Sequence, residues 1–358
     1  MLIISVSILA ARSGTMKLKR LLTGLLAAPL ALPLAATLAV PGTAQASDDT
    51  VTVYSARQEH LIKPLFDRFT EETGINVRYV TDSAGPLLAR LQQEGRRTPA
   101  DVLMTVDAGN LWQAADRGVL QSIDSEPLRE SIPEHLRDPD DQWFGLSVRA
   151  RTIMYAPDRV DPEELSTYED LADPKWEGRL CVRTSQHVYN QSLVATMISH
   201  RGEERTREVL EGWVNNFADR PFSNDTSTLR AIAAGQCDVS ITNTYYLGRV
   251  LKDDPDFPVA PFWPNQDDVG VHVNVSGAGV TRHASNPEQA QKLIEWLASD
   301  AAQEDFAALN MEYPANPDIA LDPIVAEWGD FEADNINVSE AGRLQRQAAM
   351  LMDRVGWR

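Results

Sequence analysis

The sequence predicts a two-lobed α/β protein with a hinge between its lobes, and three observations carry that expectation. Short extended runs alternate with helical ones, the signature of mostly parallel sheets covered by helices. The alternation starts afresh midway along the 358 residues, a length that suits about two domains at roughly 150 residues each. Two long extended runs, near 143–156 and 269–281, fall where the chain would pass between lobes. Lobes joined by such crossings close on a ligand about a hinge. The expected division assigns 47–147 plus 272–358 to an N-terminal lobe with the C-terminal helices. Residues 148–271 form the C-terminal lobe.

The first extended run is TVTVYSA, with Val51 and Val53 two apart. Next, HLIKPLFDRFTEETG places Leu61, Ile62, Leu65, Phe66 and Phe69 at helical spacing and stops at Gly74, a natural helix terminator. INVRYV is a second strand, AGPLLARLQQEG a helix, PADVLMTVD a third strand and AGNLWQAADRGVL a further helix. The second cycle opens at QWFGLSVRARTIMYAP. It continues through RLCVRTS and CDVSITN, with one helical stretch, SLVATMISHRGEERTREVLEGWVNNFA, between them. VGVHVNVSGAGVTR reads as a long strand, and NPEQAQKLIEWLASDAAQEDFAALN as two amphipathic helical pieces. No internal repeat or low-complexity linker interrupts this order.

The N-terminus reads as an export signal. From Met16 the chain has a basic start (Lys17, Lys19, Arg20), a Leu/Ala-rich core and a small-x-small site at Ala44-Gln45-Ala46. Residues 1–46 are therefore expected to be removed, with 1–15 a misassigned upstream extension. Pro29, Pro33 and Pro41 together with the cleavage site argue against an uncleaved anchor. Ser47 follows the site, so no lipid-bearing cysteine is expected there. Processing would remove Arg12, Lys17, Lys19 and Arg20 and no acidic residue, taking the formal charge from −19 to −23. Such a field disfavours nucleic acid and anionic membrane surfaces and suits a cationic ligand, although acidity also serves solubility alone. In the oxidising compartment that export implies, the two cysteines, Cys181 and Cys237, are expected to pair, since each begins an extended run and the runs could lie side by side. Two buried free thiols are the alternative.

Enzymatic patterns are weak. The chain lacks G-x-S-x-G, H-E-x-x-H, Walker and G-x-G-x-x-G patterns, and its six histidines form no short-spaced ligand pair. Tyrosines are more informative. Tyr245 and Tyr246 stand where CDVSITN gives way to the helical LGRVL, and Tyr189 likewise follows a strand and precedes a helix. Ligands of open α/β sheets bind beyond the carboxyl ends of strands, so three phenols converge on one rim with Ser185, Asn243 and Arg249. A phenol loses its proton near pH 10, and a small, hard cation such as Fe(III) would drive that loss at neutral pH. On chemistry alone, packing or stacking on a sugar or other organic ligand remains open beside metal ligation.

End to end, the chain after the signal resembles the ferric-iron-binding periplasmic proteins of iron ABC transporters, the FutA and FbpA kind. The stretches that carry the resemblance are VYSAR, PADVLMTVDAGNLW, LSTYEDLADPKWEGRL, YNQSLVA, NTYYLGR and HVNVSGAGV. The resemblance implies a type 2 periplasmic-binding-protein fold and a monomeric, non-enzymatic receptor. Fe(III) would be held in the interlobe cleft and delivered to an inner-membrane permease. Carried over by position, Tyr189, Tyr245 and Tyr246 are the expected phenolate ligands. A receptor of the same fold for a small organic or oxyanion ligand is the alternative, and an exported two-lobed enzyme a more distant one.

One part of the family pattern is missing. Members with a first-lobe ligand often carry His, or His-Tyr, directly after the YSxR arginine, where this chain has Gln58 and Glu59, with His60 one place later. A first-lobe glutamate found in other members corresponds here to Val106. Either Glu59 or His60 (with Gln58 a weaker candidate) completes the metal's coordination, or a small anion such as carbonate does so. Arg57 and Arg149 are the candidate anion clamps, since guanidinium meets planar oxyanions in two-pronged fashion.

Overall fold

In the computed structural model, residues 49–358 are described, and the expected signal segment, 1–46, lies outside them. The first lobe opens with β1 (Thr50–Ser55), α1 (Glu59–Thr73), β2 (Asn76–Thr81), α2 (Ala84–Glu94), β3 (Val102–Thr105), α3 (Ala108–Asp116) and α4 (Glu126–Ser131). β1 lies between β2 and β3, parallel to both. Val51, Val53 and Tyr54 are all buried, as expected for a strand covered on both faces. α1 buries Ile62, Leu65, Phe66 and Phe69 on one stripe and ends at Gly74, whose φ of 76° is the left-handed cap that glycine adopts freely.

The long strand β4 (Phe144–Tyr155) joins the two lobes. Its first part, up to Ala150, pairs antiparallel with β8 (Val273–Val280) in the first-lobe sheet. From Arg151 onward it pairs with β6 (Val239–Asn243) and with β7 (Ala260–Phe262) in the second. β8 also pairs with β3 and so closes the first sheet. Its glycines permit close approach: a Cβ on Gly277 would sit 2.4 Å from the Phe144 carbonyl oxygen.

The second lobe holds β5 (Leu180–Cys181), parallel to β6, with α5 (Val188–Arg201), α6 (Glu203–Asn216), α7 (Asp225–Ala233) and α8 (Thr244–Asp253). The single helical stretch expected between the two cysteine runs is broken in two at Gly202, where φ is 79°. After β8 come α9 (Pro287–Leu297), α10 (Asp300–Asn310), β9 (Tyr313–Pro314), α11 (Pro323–Ala326) and α12 (Ser339–Arg354). α9 and α10 bury Leu293, Ile294 and Phe306 in the first-lobe core. By contrast, Ala348, Leu351, Met352 and Trp357 join the second-lobe core with Trp176 and Trp213. The residues after 272 thus divide between two cores, because the apolar face of α12 meets α5.

Cys181 and Cys237 are joined in a disulfide with Cα atoms 5.9 Å apart, tying β5 to the turn that enters β6. Among the described residues no helix is long and apolar enough to cross a membrane. The disulfide closes a loop between positions 56 apart in sequence. Chain-entropy reasoning assigns such a crosslink about 4 kcal/mol. Replacing both cysteines by alanine is expected to lower unfolding free energy by that order in urea titrations; an unchanged midpoint would contradict it.

Candidate metal centre in the interlobe cavity

Each of the three phenols stands on the first turn of a helix that leaves a second-lobe strand. Tyr245 and Tyr246 are the second and third residues of α8, directly after β6, and Tyr189 is the second residue of α5. The strand therefore ends before the tyrosine pair, and its two rings are not divided between opposite faces of a sheet. They lie 4.3 Å apart at 32°. The Tyr245 hydroxyl donates to the Tyr189 hydroxyl at 3.2 Å. Two helix N-termini thus meet at the phenols, and their positive dipole ends favour negative charge there.

These phenols form one wall of a cavity of about 250 Å³ at the carboxyl ends of β1, β3 and β6. Arg183, His187 and Arg249 complete the second-lobe side. Ala56, Arg57, Gln58, Leu61 and Val106 line the first-lobe side, with Arg149 and Glu312 at the base. Four guanidinium groups and one carboxylate line this space. The excess of positive over negative side chains equals the number of phenols, so three phenolates would neutralise the wall.

Burial raises the pKa of Tyr189, with Arg149 opposing it. It raises Tyr245 well above the ordinary phenol value, reinforced by Tyr189 and Tyr246 and again opposed by Arg149. Both are therefore neutral at physiological pH until a cation compensates for ionisation. Arg183 Nη1 donates to the Tyr246 hydroxyl at 3.5 Å, and Arg249 lies over the Tyr245 ring at 4.8 Å. Arg183 is held in turn by Trp357, whose indole N–H donates to the Arg183 carbonyl at 3.0 Å.

Glu312 was not singled out by its sequence, which follows α10 without any recognisable pattern. It is 4% exposed and accepts from Arg57 Nη2 at 3.1 Å and from the Ser147 hydroxyl at 2.5 Å. Burial pushes its carboxyl up, but Arg57, Arg149 and these hydrogen bonds together hold it below the usual value. His187 was likewise missed. Its Nδ1 accepts the Tyr189 backbone N–H at 3.4 Å, which leaves the proton on Nε2 and makes that atom a donor rather than a metal ligand. Burial, then the neighbouring Arg183 charge, pushes its pKa down to about 3, so the ring is neutral.

The structure places the remaining expected residues as follows. Gln58 is exposed and lines the cavity, whereas Glu59 and His60 do not. α1 begins at Glu59 and leaves both exposed, the Glu59 carboxylate accepting the Tyr79 phenol at 2.8 Å. Arg57 and Arg149 reach the cavity with partners already in place. Arg57 pairs with Glu312, and Arg149 donates to the Ser276 hydroxyl at 2.8 Å and the Val275 carbonyl at 3.1 Å. Arg249 lines the cavity with no hydrogen bond or ion pair among the described residues. Asn243 lies behind the site, accepting from Arg151 Nη1 at 3.0 Å, and Ser185 lies outside it, its carbonyl accepting from Gln191. Among the described residues no three His, Cys, Asp or Glu side chains cluster as a metal site.

Two α/β lobes on crossing strands, with a charged cavity between them, define an extracellular solute-binding protein. Residues 64–333 match the bacterial extracellular solute-binding protein family. The iron uptake protein A1 of Synechocystis is 45% identical over 314 residues, covering 86% of this chain and 87% of that protein. The Trichodesmium FutA structure in complex with iron and citrate superimposes with a TM-score of 0.83 at 43% identity, covering 86% of this chain and all of that one. The apo ferric ion-binding protein A of Pasteurella haemolytica gives 0.80 at 39% identity over 86% and 98% of the two chains. The chain belongs to this family, in the branch of the ferric-iron-binding periplasmic proteins of ABC transporters.

Replacing Glu312 by alanine would leave Arg57 buried without its counter-charge, a loss of about 3 kcal/mol or more for a broken buried pair. Chemical denaturation of the metal-free variant is expected to show that loss, and wild-type stability would refute it.

Proposed function

We propose that the protein captures Fe(III) in the periplasm through the phenolates of Tyr189, Tyr245 and Tyr246 and delivers it to an inner-membrane ABC permease. The observation that carries this reading is three phenols on two helix N-termini lining one cavity with four arginines, with the Tyr245 and Tyr189 hydroxyls 3.2 Å apart. Packing alone does not call for that charge. A sugar site would use the ring faces, yet here the paired rings lie against each other at 32° and the Tyr245 hydroxyl meets that of Tyr189. Iron binds the second-lobe phenols first, and the first lobe then covers it.

A small anion such as carbonate completes the coordination. The first-lobe wall offers Gln58 and Val106 where a metal-ligating side chain would otherwise stand, and Glu312 is committed to Arg57. Three phenolates neutralise the wall and leave the metal's own triple charge uncompensated, which favours an accompanying oxyanion. Arg249, which lies over the Tyr245 ring but makes no hydrogen bond or ion pair among the described residues, is the primary contact for it, with the remaining N–H groups of Arg57 and Arg149 beside it. The protein acts as a monomer in this reading.

Adding ferric citrate to metal-free protein is expected to produce a visible phenolate-to-iron charge-transfer band. Phe at both Tyr245 and Tyr246 should abolish it, because the ring survives that change and the ligand oxygen does not. Protein that stays colourless would sink the proposal, as would a double variant that binds like wild type. Repeating the titration in carbonate-free buffer should alter stoichiometry or spectrum, and identical curves would remove the anion.

Iron binding must also release protons. Tyr189 and Tyr245 are protonated in the free protein at neutral pH, so acidification favours the metal-free form. Affinity is expected to fall by up to about tenfold per pH unit for each phenolate formed. Competition titrations between pH 6 and 8 in about equal ionic strength test this; a flat profile would show that no phenol ionises on binding.

A further inference from the structure

The first turn of α5 sends four consecutive side chains to four different places. Tyr189 faces the cavity. Asn190 accepts from Arg151 Nη2 at 2.6 Å, inside the second lobe. The Gln191 side-chain carbonyl accepts from Gln345 of α12 at 3.1 Å. Ser192 crosses to the first lobe, its hydroxyl donating to the Asp107 carboxylate at 2.9 and 3.2 Å.

Asp107 is fixed independently of Ser192. It caps α3 by accepting the Gly109 N–H at 2.7 Å, and it accepts the Asn274 side-chain amide at 2.9 Å. Asn274 is itself in register with Arg149 on the crossing strands and accepts the Ala108 N–H at 2.9 Å. Asp107 and Ser192 have no solvent exposure and Asn274 is 4% exposed. Among the described residues the serine hydroxyl has no other partner, and its removal leaves Asp107 still accepting from Gly109 and Asn274, so the contact is not needed to satisfy the carboxylate.

We propose that Asp107 and Ser192 are positioning residues for metal binding. Their hydrogen bond ties the first turn of α5 to the first lobe and the crossing strand. It thereby fixes where the Tyr189 oxygen stands against Arg149 and the first-lobe wall. This rests on Tyr189 being a ligand. Cation–π proximity of Arg149 to the Tyr189 ring, 5.1 Å, is set by the same arrangement, since Arg149 is anchored to β8 and Tyr189 to α5. The tie lies one helical turn from the phenol, near enough for a displacement of α5 to move the ligand oxygen directly.

The test is the rate at which a chelator removes iron from the loaded, full-length exported protein, followed by loss of the charge-transfer band. Ser192→Ala is expected to speed release about tenfold, the scale of one buried hydrogen bond to a charged group. Ser192→Thr, which restores the hydroxyl, should recover most of the wild-type rate. Asp107→Asn keeps a carbonyl for Gly109 and should also speed release. The deciding arm is the Tyr189→Phe background, where Ser192→Ala should add nothing, because its effect runs through the missing oxygen. An equal acceleration in that background would overturn the proposal, and so would wild-type release from Ser192→Ala while Tyr189→Phe is impaired. Unimpaired binding by Tyr189→Phe would instead refute the ligand assignment itself.

Discussion

β4 belongs to two sheets, and the arrangement of the molecule follows from that division. Its residues to Ala150 are hydrogen-bonded to β8 and those from Arg151 to β6 and β7, so one continuous strand fixes the two lobes in register. A rigid strand cannot slip by one residue without turning every side chain to the other face. The register therefore holds Arg149 at the cavity, Ser147 beside Arg57 and Glu312, and Arg151 within the second lobe, where it pairs with Asp225 at 3.0 Å. Arg151 also reaches Asn190, next to Tyr189 in sequence, and Asn243, two positions before Tyr245. The hinge strand thus braces both tyrosine-bearing turns from behind.

The site balances two opposed costs. Burying phenols makes their ionisation harder, and burying arginines without counter-charge is also unfavourable. Placing both in one cavity lets each relieve the other once a trivalent cation arrives. Glu312 tempers the positive wall in the metal-free protein, where the phenols remain neutral. Two helix N-termini add fixed partial charges that need no reorganisation when the phenolates form.

Much of the fold was legible because its elements are locally encoded. The stripe Ile62, Leu65, Phe66 and Phe69 and the glycine at 74 mark α1 without reference to the rest of the chain. The break at Gly202 was less legible, since apolar periodicity continues across it and only the positive φ ends α5. Of the site, the second-lobe tyrosines could be read from their place at strand ends. Glu312, Arg183 and His187 could not. Glu312 and Arg183 are held through contacts distant in sequence, Glu312 through Arg57, 255 positions away, and Arg183 through Trp357, 174 positions away, whereas His187 is fixed locally by the Tyr189 N–H but carries no pattern that marks it. Where Glu59 and His60 stand was not legible for the complementary reason, since nearness in sequence to Arg57 does not decide which face of α1 a residue occupies.

By itself, then, the sequence determined the alternating α/β elements, the two crossing strands, the export signal expected at the N-terminus and the three phenols at strand ends. These depend on residue type and on spacings of a few positions, which chain geometry converts directly into elements and their ends. Tertiary structure alone decided that α12 serves the second lobe, that Arg57 is paired with Glu312, and that Ser192 meets Asp107 across the lobes. Those outcomes depend on which buried charges and hydroxyls find partners after the lobes have packed. No local pattern encodes that choice, because the penalty for an unpaired buried polar group is felt only in the assembled core.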